Sequence, residues 1–230
     1  MTDSDRHARY AAATGIFFFV LVVIGFVVQH KPPASDASAT EVLEYVKDHR
    51  DNLHLVQAIF GLAGFFFIWF IGALRSLLGR AEGGEGRLAT TAYGGGLIAV
   101  ATLMVGLGLA AAAELHPAAD PEITRALIDA SLLVPAVGAP AAAVFFLGNG
   151  LSILRSGYLP SWLGWLGIVA AVFNAIGISA VFTDHGAFAG DGVIGFFAGF
   201  LLFIIWVLAA SIALVRKLGE GGTEGGAAPA

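Results

Sequence analysis

Two polar side chains, His54 and Gln57, stand one helical turn apart in the otherwise apolar stretch NLHLVQAIFGLAGFFFIWF. Glu114 and His116 close a second long apolar run, and Asp184, His185 and Asp191 mark a later gap. Imidazoles and carboxylates gathered at one depth are the donor set for Zn²⁺, Cu²⁺ or a haem axial ligand. The spacing does not favour that use. No H-x3-H or H-E-x-x-H pair occurs, His116 precedes Pro117, and His185 lies in the loop-like segment TDHGAFAGDG. His54, His116 and His185 therefore stand as metal candidates without a ligand-spaced pair among them, and no cofactor is expected from the spacing. A second anomaly is LVPAVGAPAAAVFF, where Pro135 and Pro140 sit inside an apolar run. Each removes a backbone donor and frees a carbonyl, and a broken helix of this kind lines a cavity or simply kinks.

The elements that position these residues follow from composition. The chain has 230 residues, 57% hydrophobic and 13% charged, with mean hydropathy +0.82. A soluble domain carries about 25% charged residues, and the charges here collect in short gaps between long apolar runs. That pattern is a polytopic membrane protein. Six spans are expected, at roughly 10–28, 53–74, 88–113, 132–154, 161–182 and 193–215, each near the ~20 residues that cross ~30 Å of hydrocarbon. Arg6 and Arg9 flank the first run as they would a signal peptide, but the nearest small-x-small site, Ala37-Ser38-Ala39, lies well past its apolar core. An uncleaved first helix is expected. On this assignment Arg6, Arg9, Arg75, Arg80, Arg87, Arg155, Arg216 and Lys217 share one side, against Lys31, Lys47, Arg50 and Arg125 on the other, eight to four. The side with eight is the cytoplasm, so both termini are expected inside a bacterial plasma membrane, with a multi-pass chain between them. Residues 1–217 form one transmembrane domain and 218–230 a flexible cytoplasmic tail.

Two segments on the other side read as short amphipathic helices. SATEVLEYVKDHRDN opens with Ser38 three residues before Glu41, a capping box, with Val42 and Val46 on one face. DPEITRALIDAS has Asp120 as N-cap, Pro121 at the first helical position and a possible Arg125–Asp129 pair four residues apart. An offset of 80 residues then lays Phe65-Phe66 on Phe145-Phe146 and Leu74-Arg75-Ser76 on Leu154-Arg155-Ser156. A duplicated unit, 40–113 and 120–182, would place a pseudo-two-fold along the membrane normal. The fold class is thus all-α: a bundle of six transmembrane helices with two short outer amphipathic helices.

The turn RSGYLPSWLGWLG, Arg155 to Gly167, resembles a hairpin of uncharacterised multi-spanning bacterial membrane proteins of a domain-of-unknown-function family. In that family an Arg-Ser-Gly-x-Leu-Pro segment enters a Leu-Gly-rich helix. The resemblance implies a helical membrane fold and carries no reaction and no catalytic residues.

Several functions are disfavoured by the sequence. There is no cysteine, hence no disulfide, thiolate metal site or Cys nucleophile. No Walker or Rossmann glycine pattern supports a nucleotide, no G-x-S-x-G motif supports a serine hydrolase, and no basic patch supports nucleic acid. The spans lack ion pairs of the kind a proton-coupled pump uses. In an antiparallel hairpin of spans two and three, His54, Gln57 and Glu114 reach similar depth. There they form interhelical hydrogen bonds, worth about 0.6 kcal/mol each, or line a polar outer cavity together with Pro135 and Pro140, with spans one and six packed outside. Asn149 and Asn174 read as interhelical bonds. The expected function is a non-enzymatic membrane protein whose surroundings are the lipid bilayer. It would be an accessory subunit for a membrane protein partner or homo-oligomer, or a small-molecule or lipid carrier with an outer-leaflet cavity. The competing expectation is a metal- or haem-dependent enzyme of the outer leaflet.

Overall fold

A computed structural model of the chain describes residues 3–34, 36–115, 120–183, 186–187, 192 and 197–224. Among the described residues there are seven α-helices and one 3-10 helix, and no strand. They are α1 Asp3–Val28, α2 Ala39–Asp48, α3 Arg50–Glu82, α4 Arg87–Leu115, α5 Pro121–Ser156, α6 Ser161–Ile176 and α7 Gly199–Glu224, with the 3-10 helix Gly177–Val181 continuing α6. Six of these segments are long and apolar enough to cross a membrane. α2 is the exception, a ten-residue amphipathic helix with Val42, Leu43 and Val46 buried.

Three helix ends have a clear local cause. Ser38 caps α2, its Oγ accepting from Glu41 N while Glu41 Oε2 accepts from Ser38 N at 2.7 Å. Asp120 caps α5 ahead of Pro121, and Gly157 closes α5 in the left-handed region at φ 61°. The second amphipathic segment is not a separate helix. It is the first part of α5, which runs unbroken for 36 residues through Pro135 and Pro140. Arg125 pairs with Asp129 at 2.8 Å inside it. The physical reason is plain: after Asp120 and Pro121 no glycine or further proline interrupts the helical pattern before the apolar run begins. α7 likewise runs to Glu224, so the segment expected as a tail begins as helix.

Helix association in lipid rests on close packing and interhelical hydrogen bonds. The centre of the bundle is aromatic. Phe67 of α3, Phe145 and Phe146 of α5, and Phe203 and Trp206 of α7 meet with ring centroids 4.9–6.2 Å apart. Trp206 also donates from Nε1 to Leu163 O of α6 at 2.9 Å, and Ser211 Oγ donates to Ala12 O of α1 at 2.6 Å. α7 is therefore a core helix; the expectation that it packs on the outside fails because Trp206, Val207, Ala210, Ser211 and Leu214 are all buried.

α4 and α5 pack through small residues. A Cβ added at Gly95 would fall 2.6 Å from Ala141 O and 2.8 Å from Phe145 N, and one at Gly148 would fall 2.9 Å from Leu88 O. At Gly106 it would meet Ser131 O at 2.6 Å and Pro135 Cγ at 3.0 Å. Ser131 O is the carbonyl that Pro135 deprives of its helical donor. The freed oxygen thus faces the backbone of Gly106, where only a glycine lets the neighbouring helix approach.

Candidate functional site

α3 and α4 form an antiparallel hairpin through the turn at residues 83–86, so the start of α3 lies level with the end of α4. That geometry brings three polar residues together. Glu114, in the last turn of α4, is 2% exposed. Gln57 donates from Nε2 to Glu114 Oε1 at 3.1 Å. His54, one turn before Gln57, lies within electrostatic reach of Glu114. Three atoms of this cluster are buried without a hydrogen-bond partner: Glu114 Oε2, Gln57 Oε1 and His54 Nε2. Buried polar atoms are overwhelmingly paired in folded proteins, and each orphan costs about 1–3 kcal/mol. Three on adjoining side chains mark this as the least self-satisfied place among the described residues, where the other two orphans are Thr124 Oγ1 and Ser152 Oγ.

α2 packs chiefly on α5 and touches this end of the hairpin only at its margin; it is separated from α3 by His49 alone, whose backbone at φ −113°, ψ 15° leaves the helical region. Tyr45 of α2 reaches the neighbourhood of Glu114. Burial, and then the Glu114 carboxylate, push its phenol above the usual tyrosine range. Its hydroxyl donates to His30 O at 2.9 Å, its ring stacks on His49 at 4.7 Å, and His49 meets His30 at 4.6 Å. Asn52 Nδ2 donates to Val28 O at 3.0 Å, and Arg50 Nη2 to Leu115 O at 2.6 Å. The last carbonyls of α1 and α4 are thereby held by side chains from the first turn of α3, which satisfies helix-end acceptors that would otherwise lack partners.

The expected site residues divide into separate groups. His54, Gln57 and Glu114 come together. Gln57 turns to α4, however, and the Pro135–Pro140 segment takes its packing from α4 as well, with Pro135 against Gly106. His116 and His185, the other metal candidates, lie outside the described residues, as do Asp184 and Asp191. Among the described residues no three His, Asp or Glu side chains converge as a metal set. Asn174 makes the expected interhelical bond, to Gly199 O at 3.3 Å, while Asn149 donates within its own helix to Phe145 O at 2.9 Å.

Sequence reasoning passed over Tyr45, Arg50 and Asn52. Tyr45 had a signal. It stands one turn from Val42 in a capped amphipathic helix, which puts its ring at the edge of the buried face.

The chain matches no protein-family model, no curated protein and no solved structure.

Proposed function

We propose that the protein is a non-enzymatic, six-span protein of a bacterial plasma membrane, with both termini cytoplasmic. It would hold a small polar ligand at the outer ends of α3 and α4, as a small-molecule carrier or as the ligand-binding accessory subunit of a membrane partner. The observation that carries this reading is Glu114, a carboxylic acid 2% exposed with one oxygen bonded to Gln57 and the other without a partner. Packing α3 on α4 does not require it; a leucine there would avoid the desolvation cost. A buried ionisable group at the end of a membrane helix, with one oxygen unpartnered, is a candidate for function. The three orphaned atoms supply the polar contacts, and Tyr45 of α2 stands within electrostatic reach of Glu114. Ligand entry then requires the surrounding helices to part, since Glu114 Oε2, Gln57 Oε1 and His54 Nε2 are closed to water as they stand.

The test is a thermal-unfolding screen of the detergent-purified protein against small ions, amines, amino acids and lipids, run on the parent chain and on Glu114→Gln. At least one compound is expected to raise the parent midpoint and to leave the variant unmoved. A screen in which every stabilising compound acts equally on both proteins would sink the proposal. A stoichiometric metal or a Soret band in the purified parent would replace it with the metal- or haem-dependent enzyme.

A further inference from the structure

The opposite end of the bundle, where the α3–α4 turn meets the end of α5, holds a cavity of about 480 Å³ lined by Glu82, Glu85, Arg87, Arg155 and Ser156 together with backbone of the turn. It is remote in sequence from the Glu114 cluster and independent of the function proposed above.

The wall is held in shape by its own bonds. Glu82 Oε1 accepts from Ala89 N at 2.8 Å and Oε2 from Leu88 N at 3.1 Å, so one carboxylate caps the start of α4 with both oxygens. Gly83, Gly84 and Gly86 have φ of 70°, 65° and 59°, the left-handed region that side chains disfavour. A Cβ at Gly86 would also fall 2.9 Å from Gly79 Cα. The turn is therefore folded tightly onto α3, and its charged side chains project around the cavity.

Those charges balance in sign. Arg87 Nε and Glu85 Oε2 form an ion pair at 2.9 Å with both side chains well exposed. Such a pair contributes little to stability, and both partners remain available to a ligand. Arg155 is exposed and, among the described residues, has no hydrogen-bond or ionic partner. Of the other cations at this end, Lys217 Nζ donates to Tyr158 O at 2.6 Å and lies 4.3 Å from the Tyr158 ring centroid, Arg75 stands 5.6 Å from that of Tyr93, and Arg80 lies within electrostatic reach of Tyr158 and outside the lining. Ser156 Oγ is spent on Ser152 O at 2.7 Å and Tyr158 N at 3.2 Å. Within the lining, the charged groups left for a ligand are thus the Arg87 and Arg155 guanidinium groups and the Glu85 carboxylate.

The depth of the cavity is marked by tryptophan. Trp162 and Trp165, 55% and 61% exposed, open α6 shortly after Ser156. Exposed tryptophans at a span end sit at the level of lipid headgroups. A guanidinium pair at that level binds phosphate, and a carboxylate beside it binds an ammonium with free N–H donors.

We infer that this cavity is a binding site for a phosphoethanolamine headgroup, with phosphate on Arg155 and Arg87 and the primary ammonium on Glu85, and that its source is a phosphatidylethanolamine molecule of the adjoining leaflet. A choline headgroup offers no N–H to Glu85, and a glycerol headgroup offers no cation.

Native mass spectrometry of the full-length protein, reconstituted in nanodiscs of equal parts phosphatidylethanolamine, phosphatidylcholine and phosphatidylglycerol, tests the assignment. The parent should retain phosphatidylethanolamine in preference. Arg155→Gln should lower its retention by about tenfold, the loss of one charge-assisted contact. Glu85→Gln should bring phosphatidylethanolamine and phosphatidylcholine to parity. Lys31→Gln, at the other end of the bundle, should change nothing. Unaltered thermal midpoints in the three variants establish that folding is intact; should Arg155→Gln unfold, Arg155→Lys serves, with retention lowered because a lysine presents a single charged point in place of a fork. Equal retention of the three lipids by the parent, or undiminished selectivity in Arg155→Gln, overturns the inference. So does protection by soluble phosphoethanolamine in a protein that shows no lipid preference, which would make the occupant a free solute.

Discussion

Gln57 and Glu114 meet because a hairpin of two long helices brings the first turns of one level with the last turn of the other. Their bond joins α3 to α4 at the end of the hairpin away from the turn at 83–86. This much was legible in the sequence, since the depth of each residue follows from its distance to the turn at 83–86. The burial of Glu114 was not, because it depends on how the helices around the hairpin pack, which the depth of a residue in its own helix does not fix. The pair has a measurable signature. Gln57→Leu alone strips Glu114 of its remaining partner and is expected to cost about 1–3 kcal/mol, the penalty for orphaning a buried polar group. The double change Gln57→Leu with Glu114→Leu removes both polar groups at once and should cost less than the sum of the single changes, with a coupling of at least about 0.5 kcal/mol. Unfolding of the four proteins in detergent, followed by circular dichroism, reads this directly. Two small and additive effects would show that both side chains are solvated.

Among elements, the long apolar runs announced the six long helices, and the capping signals at Ser38 and Asp120 located two helix starts correctly. What the runs did not disclose was continuity. The amphipathic segment after Asp120 joins the apolar run as one helix, and neither Pro135 nor Pro140 ends it. A proline in a membrane helix is tolerated when a neighbour accommodates the freed carbonyl, and Gly106 does so for Ser131. The 80-residue offset also meets a physical check in the two helices it compares. Phe65 is 53% exposed while Phe145, its counterpart, is 1% exposed, whereas Arg75 and Arg155 are both exposed. Adjacent glycines on α4 separate packing from propensity. Gly95→Ala drives a methyl into the α5 backbone, which forces the helices apart and should cost about 1–3 kcal/mol. Gly94→Ala meets nothing within 4 Å and should be neutral or stabilising by up to about 1 kcal/mol through helix propensity. Thermal midpoints of the two variants should move in opposite directions, or only Gly95→Ala should move. Equal shifts would mean that the α4–α5 contact is looser than described.

For the whole molecule, the decisive property is which end of the bundle faces which compartment. The six long helices alternate in direction, so the turn at 83–86 and the α5–α6 turn lie at the end that also carries the start of α1 and the end of α7, while α2 and Ala187 lie at the other. The proposed orientation, with the first end in the cytoplasm, rests on the eight basic residues assigned to it against four at the second and on the positive-inside rule. Aromatic packing at the bundle centre carries no orientation information, so the sequence distribution of arginine and lysine is the whole basis of the assignment. The absence of cysteine makes it testable without background. Single cysteines at four exposed positions, Asp36→Cys and Ala187→Cys at the α2 end and Glu85→Cys and Ser161→Cys at the other, are treated in intact cells with a membrane-impermeant maleimide. The first two are expected to label directly and the second two only after permeabilisation. The inverse pattern would reverse the orientation and move the Glu114 cluster to the cytoplasmic leaflet and the phosphate-binding cavity to the outer one. Labelling of Asp36→Cys and Glu85→Cys from the same side would break the alternation itself, since α3 would then not cross the membrane, and both proposed sites would lose the depth on which their chemistry depends.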